Sequence, residues 1–273
     1  MNKQRMFVSI VIFTFISIQI FSQTSEPRSG DQSELEKILK DCAEYCEILD
    51  NSVLDFICEE KITEEILKGR SAFAVKNIYI YDYQLIRKAN KIVEQRILIK
   101  ENGRKKNEVN AQLKTKRFHH KHVVLGPIGL LGEKQQEVHE YKIVKEVIYK
   151  KEKAVILEAK PRFPEESDTL YGKIWIRKKD FAILKIEWNQ ESLENFEKIE
   201  KIAAELEAIP RITFISEYGF EKNKIRFPNK YSVVESYIPR LKGGKKLTWS
   251  QTTVIYDSYK FFTVDTKVKY KSR

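Results

Sequence analysis

The chain has 273 residues, of which 42% are hydrophobic and 33% are charged. It is long enough to bury a large core, and its ten glycines, seven prolines and three cysteines exclude collagen-like, low-complexity and small disulfide-stapled proteins. Lys and Arg residues number 50 against 39 Asp and Glu residues, so the formal net charge is +11 and favours contact with phosphates or acidic partners.

The N-terminal segment has the pattern of a secretory signal peptide. Lys3 and Arg5 precede an uncharged apolar run from Met6 to Phe21, and the small residue Ser22 is followed by polar residues. An uncleaved membrane anchor is the alternative, although the run is shorter than the roughly 20 residues that span a bilayer. We predict that residues 1–22 are removed by cleavage near Ser22 and that the mature protein is periplasmic or secreted.

The mature chain is predicted to begin with a helix and to continue as a hairpin-rich sheet. Residues 23–32 are polar and are predicted to be a disordered leader, and from Ser33 to Leu49 apolar residues recur at helical spacing. The period then falls to two. The predicted strands cover residues 53–66, 76–87, 92–100, 138–150, 154–160, 172–177, 181–188, 212–221, 231–238, 247–256 and about 262–270.

These elements predict a mainly β (α+β) fold. One curved antiparallel sheet is expected to form an incomplete β-barrel within a single domain over residues 33–273. No helical crossovers alternate with the strands, so Rossmann and TIM-barrel architectures are disfavoured.

Two stretches interrupt the strands. Residues 104–137 form a long connection that is basic at first and then apolar over residues 123–131, and such a connection is usually functional when it is not disordered. Residues 192–208 carry an apolar stripe at helical spacing that includes Phe196. We predict an inserted helix there, folded over the sheet as a lid.

Export affects how the three cysteines are interpreted. Cys42 and Cys46 are four residues apart on the predicted helix, where two cysteines bridge poorly. A disulfide between Cys46 and Cys58 is the better pairing in an oxidising compartment, and three reduced, buried thiols are the alternative. No zinc site is expected, because no histidine or second cysteine pair has ligand spacing around them.

The usual catalytic motifs are missing. The sequence has no G-x-S-x-G elbow, no phosphate-binding glycine loop and no H-E-x-x-H motif. On a strand His120 and His122 would share a face, as metal ligands do, but basic neighbours and the lack of a nearby carboxylate favour a solvated loop.

Carboxylates occur next to each other at Glu59-Glu60 and Glu64-Glu65. Neighbouring strand residues point to opposite faces, so these pairs do not form acid–base dyads, and we expect exposed charge. We therefore predict no enzyme, no catalytic residue, no metal and no cofactor. A hydrolase is retained as an alternative if His119, His120, His122 or His139 meets a carboxylate in the folded protein. Nucleic acid is not an expected partner, because the protein is exported.

The segment from Tyr171 to Glu187, YGKIWIRKKDFAILKIE, resembles the β-hairpin of the LolA-like family of periplasmic lipoprotein carriers, which also occurs in the related LolB and RseB half-barrels. The run from Ile225 to Asn229 and the ending Tyr256–Phe262 resemble the far side of that fold. The resemblance implies a half-barrel with helices as a lid, enclosing an apolar cavity for acyl chains.

The resemblance and the strand pattern together suggest which residues line the cavity. The candidates are Tyr79, Tyr81, Tyr83, Leu130, Leu131, Trp175, Phe196 and Phe214, and ordinary core packing is the alternative for the tyrosines and the tryptophan. Our first hypothesis is an exported, monomeric, non-enzymatic carrier of lipid or lipoprotein acyl chains, which also meets inner- or outer-membrane proteins. The alternative is an envelope protein-interaction or stress-sensing module without a lipid cargo.

Overall fold

The computed structural model describes residues 29–51, 55–67, 74–88, 91–120, 123–163, 170–194, 196–241 and 244–262. The predicted signal peptide, residues 23–28 of the predicted leader and nearly all of the predicted strand at 262–270 lie outside these residues. Within the described ranges, no helix combines the length and the apolar character needed to cross a membrane.

The described residues contain four α-helices and thirteen strands. The helices are α1 Ser29–Asn51, α2 Gly126–Leu131, α3 Glu133–Val138 and α4 Phe196–Glu205. The strands are β1 Asp55–Leu67, β2 Ala74–Lys88, β3 Lys91–Glu101, β4 Arg104–Val109, β5 His139–Tyr149, β6 Glu152–Pro161, β7 Gly172–Arg177, β8 Ile183–Trp188, β9 Ala208–Glu217, β10 Phe220–Lys222, β11 Ile225–Phe227, β12 Lys230–Pro239 and β13 Leu247–Phe262.

One large sheet dominates the fold. Eleven of the described strands pair in the order β4-β3-β2-β1-β13-β12-β9-β8-β7-β6-β5, every pair antiparallel, and β10 and β11 form a separate hairpin. The sheet is curved and does not close, so β4 and β5 are its edges. The predicted incomplete antiparallel barrel is confirmed.

The concave surface of the sheet, here called the inner face, is buried because the strands alternate as predicted. Phe56, Cys58 and Ile62 of β1 are at most 2% exposed, while the alternate residues Ile57, Glu59 and Lys61 are more exposed. Successive strand residues point to opposite faces, so one face of each strand is committed to the core. We call the space in front of the inner face the trough.

Helices and the long connection cover the trough. Helix α1 buries Ile38, Cys42, Tyr45, Cys46 and Leu49, which lie on one side of the helix. Helix α2 contacts α1 on one side and β8 on the other. Helix α4, the predicted lid, packs against β9 and buries Ile199 and Ala203, so it forms only part of the cover.

Several boundaries differ from the prediction. Helix α1 begins at Ser29, four residues before the predicted start at Ser33. Residues 104–137, predicted as one connection, contain β4, a 3-10 turn at Val123–Leu125, α2 and α3. The strand β4 forms because Asn102 and Gly103 have φ values of 48° and 80°, which suit a two-residue hairpin turn. The pair Gly126-Pro127 begins α2, where proline suits the first turn.

The two edge strands have features that disfavour pairing with a further strand. Strand β4, with the sequence RKKNEV, is exposed along its whole length. Strand β5 is longer, but its pairing with β6 shifts register between Ile143 and Lys145, which indicates a bulge. Charges and bulges are devices by which sheets avoid further strand pairing.

Candidate functional site: a trough filled by its own chain

The trough has an apolar half on β6, β7 and β8. Val155, Leu157 and Ala159 of β6 point inward and are at most 2% exposed. Ile174 and Ile176 of β7 are fully buried beside them. This half presents only hydrocarbon to whatever covers it, which is the surface that an apolar ligand needs.

The cover of the apolar half is unusually apolar itself. Residues 123–132, with the sequence VVLGPIGLLG, carry no polar side chain. Leu130 and Leu131 are fully buried, and Val123 and Val124 are at most 7% exposed. The segment fills the trough as a separate apolar molecule would.

The polar groups that hold this cover are its own backbone carbonyls. The Tyr141 hydroxyl donates to the Leu130 carbonyl at 2.5 Å, and the Tyr218 hydroxyl donates to the Val123 carbonyl at 2.9 Å. The Cys46 thiol donates to the Pro127 carbonyl at 3.5 Å. Apolar packing and a few neutral hydrogen bonds therefore keep α2 in place.

The other half of the trough has a polar floor on β1, β3 and β12. Glu60 is fully buried and receives two hydrogen bonds from the Arg96 guanidinium, at 2.7 and 3.1 Å. His120 Nε2 lies 2.7 Å from Glu60 Oε1. Burial would raise the pKa of Glu60, but His120 and Arg96 outweigh it and lower this pKa to about 2.

Two further buried glutamates bind the chain that lies over this floor. The Glu64 carboxylate accepts the backbone N–H groups of Lys116 and Arg117, at 2.7 and 3.1 Å. The Glu235 carboxylate pairs with the Arg117 guanidinium, with one contact at 3.0 Å and a second, shorter one. Residues 111–120 are thus anchored in the trough by charges, and we call them the plug.

The space that remains beside the plug is small and polar. A cavity of about 320 Å³ lies between the plug and the start of β3. Its lining residues are Val93, Glu94, Gln95, Arg96, Asn110, Ala111, Gln112, Leu113, His119 and His120. Most of these side chains are polar, so this cavity is not the apolar cavity that the sequence predicted.

The three predicted tyrosines lie on the inner face of β2 and are at most 4% exposed. The Tyr81 hydroxyl donates to the Gln112 carbonyl at 3.3 Å and accepts the Lys114 N–H at 3.2 Å, and Tyr83 donates to Glu94 at 2.9 Å. Tyr79 stacks obliquely on Tyr81. These tyrosines touch the plug and the polar floor, and their contact with a ligand stays a prediction.

The other predicted lining residues are divided between the two faces. Phe214 is buried on the inner face between Trp188 and Tyr231, and Phe196 packs at the edge of the core. The prediction for Trp175 is wrong. Its neighbours Ile174 and Ile176 point inward, so its ring lies on the outer face, where Lys185 Nζ lies 4.0 Å from the ring centroid. Trp175 therefore does not line the trough.

The predicted Cys46–Cys58 disulfide is not formed, and all three cysteines are buried, free thiols. The Cys46 thiol points to Pro127, whereas Cys58 on β1 lies beside Tyr259. Burial raises the pKa of Cys46 to about 12, so this thiol stays protonated. The alternative of reduced thiols is the one that fits the structure.

The contacts of the histidines bear on the alternative that the protein is a hydrolase. His119 and His139 contact backbone carbonyls, and His122 lies outside the described residues. His120 does meet a carboxylate, Glu60, which was the condition for reopening this alternative. Among the described residues that line the adjacent cavity, none carries a hydroxyl or thiol side chain. The part of the chain that is described holds no cluster of three metal-ligating side chains.

The sequence did not predict that Glu60 and Glu64 belong to the site. Glu60 and Glu64 were expected to be exposed, yet both are fully buried. A signal was present, because both occupy inward positions in the alternation Phe56, Cys58, Glu60, Ile62, Glu64. Their partners Arg96, His120 and the backbone of Arg117 come from distant parts of the chain, and no local pattern connects them.

Fold and site together define an open antiparallel half-barrel whose trough is closed by helices and by an internal segment. No protein-family model matches the chain, and no curated protein matches it. Solved structures that are similar include a LolA superfamily protein from Nitrosomonas europaea, with 13% identity, 85% of this chain and 97% of that chain covered, and a TM-score of 0.35.

Two further similar structures come from other organisms. A putative outer membrane lipoprotein-sorting protein domain from Vibrio parahaemolyticus has 12% identity, with 84% of this chain and 94% of that chain covered and a TM-score of 0.39. LprF from Mycobacterium bovis has 11% identity, with 83% and 93% covered and a TM-score of 0.24. The first two belong to the group that the hairpin resemblance named, and the likeness is distant.

Proposed function

We propose that the protein is an exported, non-enzymatic binder of an acyl chain carried by a lipid or a lipoprotein. The chain would lie on the inner face of β6, β7 and β8, in the volume now filled by α2. The observation that carries the proposal is the ten-residue segment 123–132, which has no polar side chain and covers a fully apolar surface.

Helix α2 is suited to leave this surface. It has six residues and includes Gly126, Pro127 and Gly129, whereas isolated helices need roughly 12 residues to be even marginally stable. The stability of α2 therefore comes from the burial of Leu130 and Leu131 and not from its own backbone. An acyl chain that buries the same surface would replace the apolar contacts that hold α2 in place.

The free energies of the two occupants are comparable. Burying Val123, Val124, Leu130 and Leu131 contributes roughly 6–12 kcal/mol, at about 1.5–3 kcal/mol for each side chain. An acyl chain with about 16 carbons would gain roughly 13 kcal/mol at about 0.8 kcal/mol per methylene group. Exchange of one for the other is therefore close to balanced, as reversible carriage requires.

The plug side of the trough is less able to open. Moving residues 111–120 away would take His120 from Glu60, the two backbone donors from Glu64 and Arg117 from Glu235. Uncompensated buried charge costs several kcal/mol. The neutral contacts of α2 are weaker by comparison. We infer that the ligand is admitted on the α1 and α2 side.

The cell envelope is the proposed location. Lys3, Arg5 and the apolar run that follows support export, and removal of residues 1–22 would leave a formal charge of +11 − 2 = +9. That excess suits contact with lipid phosphates at the rim of the trough.

The first test is the recovery of lipid. The protein is exported, purified from the envelope without detergent, and analysed by native and denaturing mass spectrometry. We expect a bound lipid with at least one acyl chain. A protein that carries no lipid and does not bind a fluorescent fatty acid would contradict the proposal and favour an interaction module.

The second test uses the sign of a mutational effect. If α2 competes with the ligand, Leu130→Ala and Leu131→Ala together should tighten binding of a fluorescent fatty acid. The two substitutions destabilise the form in which α2 fills the trough, so the ligand displaces α2 more easily. Ile148→Ala removes a 77% exposed apolar side chain from β5 and serves as the control, with no change expected. Weaker binding by the double variant would show that α2 forms the ligand surface and does not compete for it.

A further inference from the structure

We propose that one end of the sheet docks on an anionic lipid bilayer. This surface is here called the basic end. It comprises Ile209 at the start of β9, Leu247 at the start of β13, and Arg240, Leu241, Lys245 and Lys246 between β12 and β13. The proposal goes beyond acyl-chain binding, since it concerns the exterior of the protein and does not require any ligand in the trough.

Strand pairing gathers the apolar residues of the basic end. Ile209 of β9 pairs with Ile238 of β12, and Leu247 of β13 pairs with Tyr237 of β12. Neighbouring strands lie about 4.8 Å apart, so Ile209 and Leu247 lie at the same end of the sheet, one towards each face. Leu241, which follows β12, is 76% exposed, Ile209 is 53% exposed and Leu247 is 38% exposed. Water is a poor partner for such a cluster.

Backbone hydrogen bonds involve Arg240, Leu241 and Gly244. The Gly244 N–H donates to the Leu241 carbonyl at 3.2 Å, and the Arg240 N–H donates to the Glu207 carbonyl at 3.0 Å. A Cβ atom at Gly244 would lie 2.5 Å from the Pro239 Cβ, so Gly244 packs closely against Pro239. Leu241 is thus exposed beside backbone groups that are held in place.

Cations surround the leucine. The sequence of residues 239–247 is PRLKGGKKL, with four basic residues and no acidic one, and Arg240, Lys245 and Lys246 are exposed. Arg211 on β9 adds a further exposed cation, and the exposed Glu205 at the end of α4 and Glu207 just after it are the opposing charges. The balance is positive.

Apolar tips among basic side chains match the interface of an anionic bilayer. The leucines would enter the region between head groups and acyl chains, while lysines extend to the phosphates. Each basic residue near such a surface contributes about 1 kcal/mol. An anionic protein surface would meet the cations but would leave the apolar tips without a matching partner, so the bilayer is favoured.

The test is co-sedimentation of the exported protein with lipid vesicles. We first confirm by mass that residues 1–22 are absent, since that apolar run would bind membranes itself. Binding is expected to vesicles of phosphatidylglycerol and phosphatidylcholine in equal parts, and not to phosphatidylcholine alone. Lys245→Gln with Lys246→Gln should weaken binding about thirty-fold at low salt. Leu241→Ser should weaken it without changing the salt dependence.

The matched control is the exposed basic turn at the opposite end of the sheet. Lys222 and Lys224 lie in the β10–β11 hairpin, and Lys222→Gln with Lys224→Gln removes the same charge. This control should bind vesicles like the wild type. Equal loss by both pairs would indicate non-specific attraction and overturn the proposal, as would an absence of binding to anionic vesicles. Fatty-acid binding measured in parallel should not change in any variant, so its failure would count against the trough and not against the basic end.

Discussion

Removing Arg117 should destabilise the protein more than removing Glu235, although the two residues form one ion pair. Glu235 is fully buried, whereas the Arg117 side chain is 26% exposed. In Arg117→Met the carboxylate keeps only the hydroxyls of Tyr237 and Ser250, each at 2.7 Å. A buried charge without its cation costs about 3–5 kcal/mol. In Glu235→Gln the guanidinium can turn towards water, and the loss is about 1.5–3 kcal/mol.

Urea unfolding of both variants and of the double variant measures this asymmetry. We expect the double variant to be more stable than Arg117→Met alone, because the second substitution removes the uncompensated charge. At this chain length 1 kcal/mol corresponds to about 2–4 °C in Tm, so Arg117→Met should melt roughly 6–20 °C below the wild type. Equal and additive losses would refute the view that the plug is anchored by a buried carboxylate.

Three further outcomes are expected. The pKa of Glu60 is lowered from 4.5 to about 2, so its ionisation contributes about 3 kcal/mol of stability above about pH 5. This contribution is lost as the pH falls towards 2. Urea titrations at several pH values should show the loss in the wild type and a flatter pH profile in Glu60→Gln. Cys46 and the other two thiols should react with a disulfide reagent only at the rate of lid opening or unfolding, and rapid labelling of the native protein would contradict their burial. Gly172→Ala should destabilise the protein by more than about 3 kcal/mol, because its Cβ would lie 2.2 Å from the Glu187 carbonyl oxygen. Gly129→Ala has no atom within 4 Å of its Cβ and should be neutral or slightly stabilising in thermal melts. Similar losses in the two variants would contradict the close approach at Gly172.

The sheet was predictable because its signal is local. Phe56 and Cys58 on β1 and the tyrosines of β2 alternate with more exposed residues, and alternation alone assigns them to the inner face. The same rule also shows why Trp175 was wrongly assigned to the trough. Its neighbours Ile174 and Ile176 take the inner positions, so the indole must point outward.

The site was only partly predictable because its contacts are distant in sequence. The apolar character of residues 123–131 indicated a segment that needs a surface to lie on, and Leu130 and Leu131 are indeed fully buried. The charged anchors were missed. Arg117 and Glu235 are separated by 118 residues, and a lone charge at an inward position does not identify its partner. Sequence therefore predicted the walls of the trough but not that the chain itself fills it.

The unclosed sheet has a consequence for the self-association of the protein. An open half-barrel exposes two ribbons of hydrogen-bonding backbone, and copies of the molecule joined along them would grow into fibres. The short, mostly charged β4 and the bulge in β5 work against such growth at either end. Evolution of a wider sheet from this one would first have to give up those safeguards.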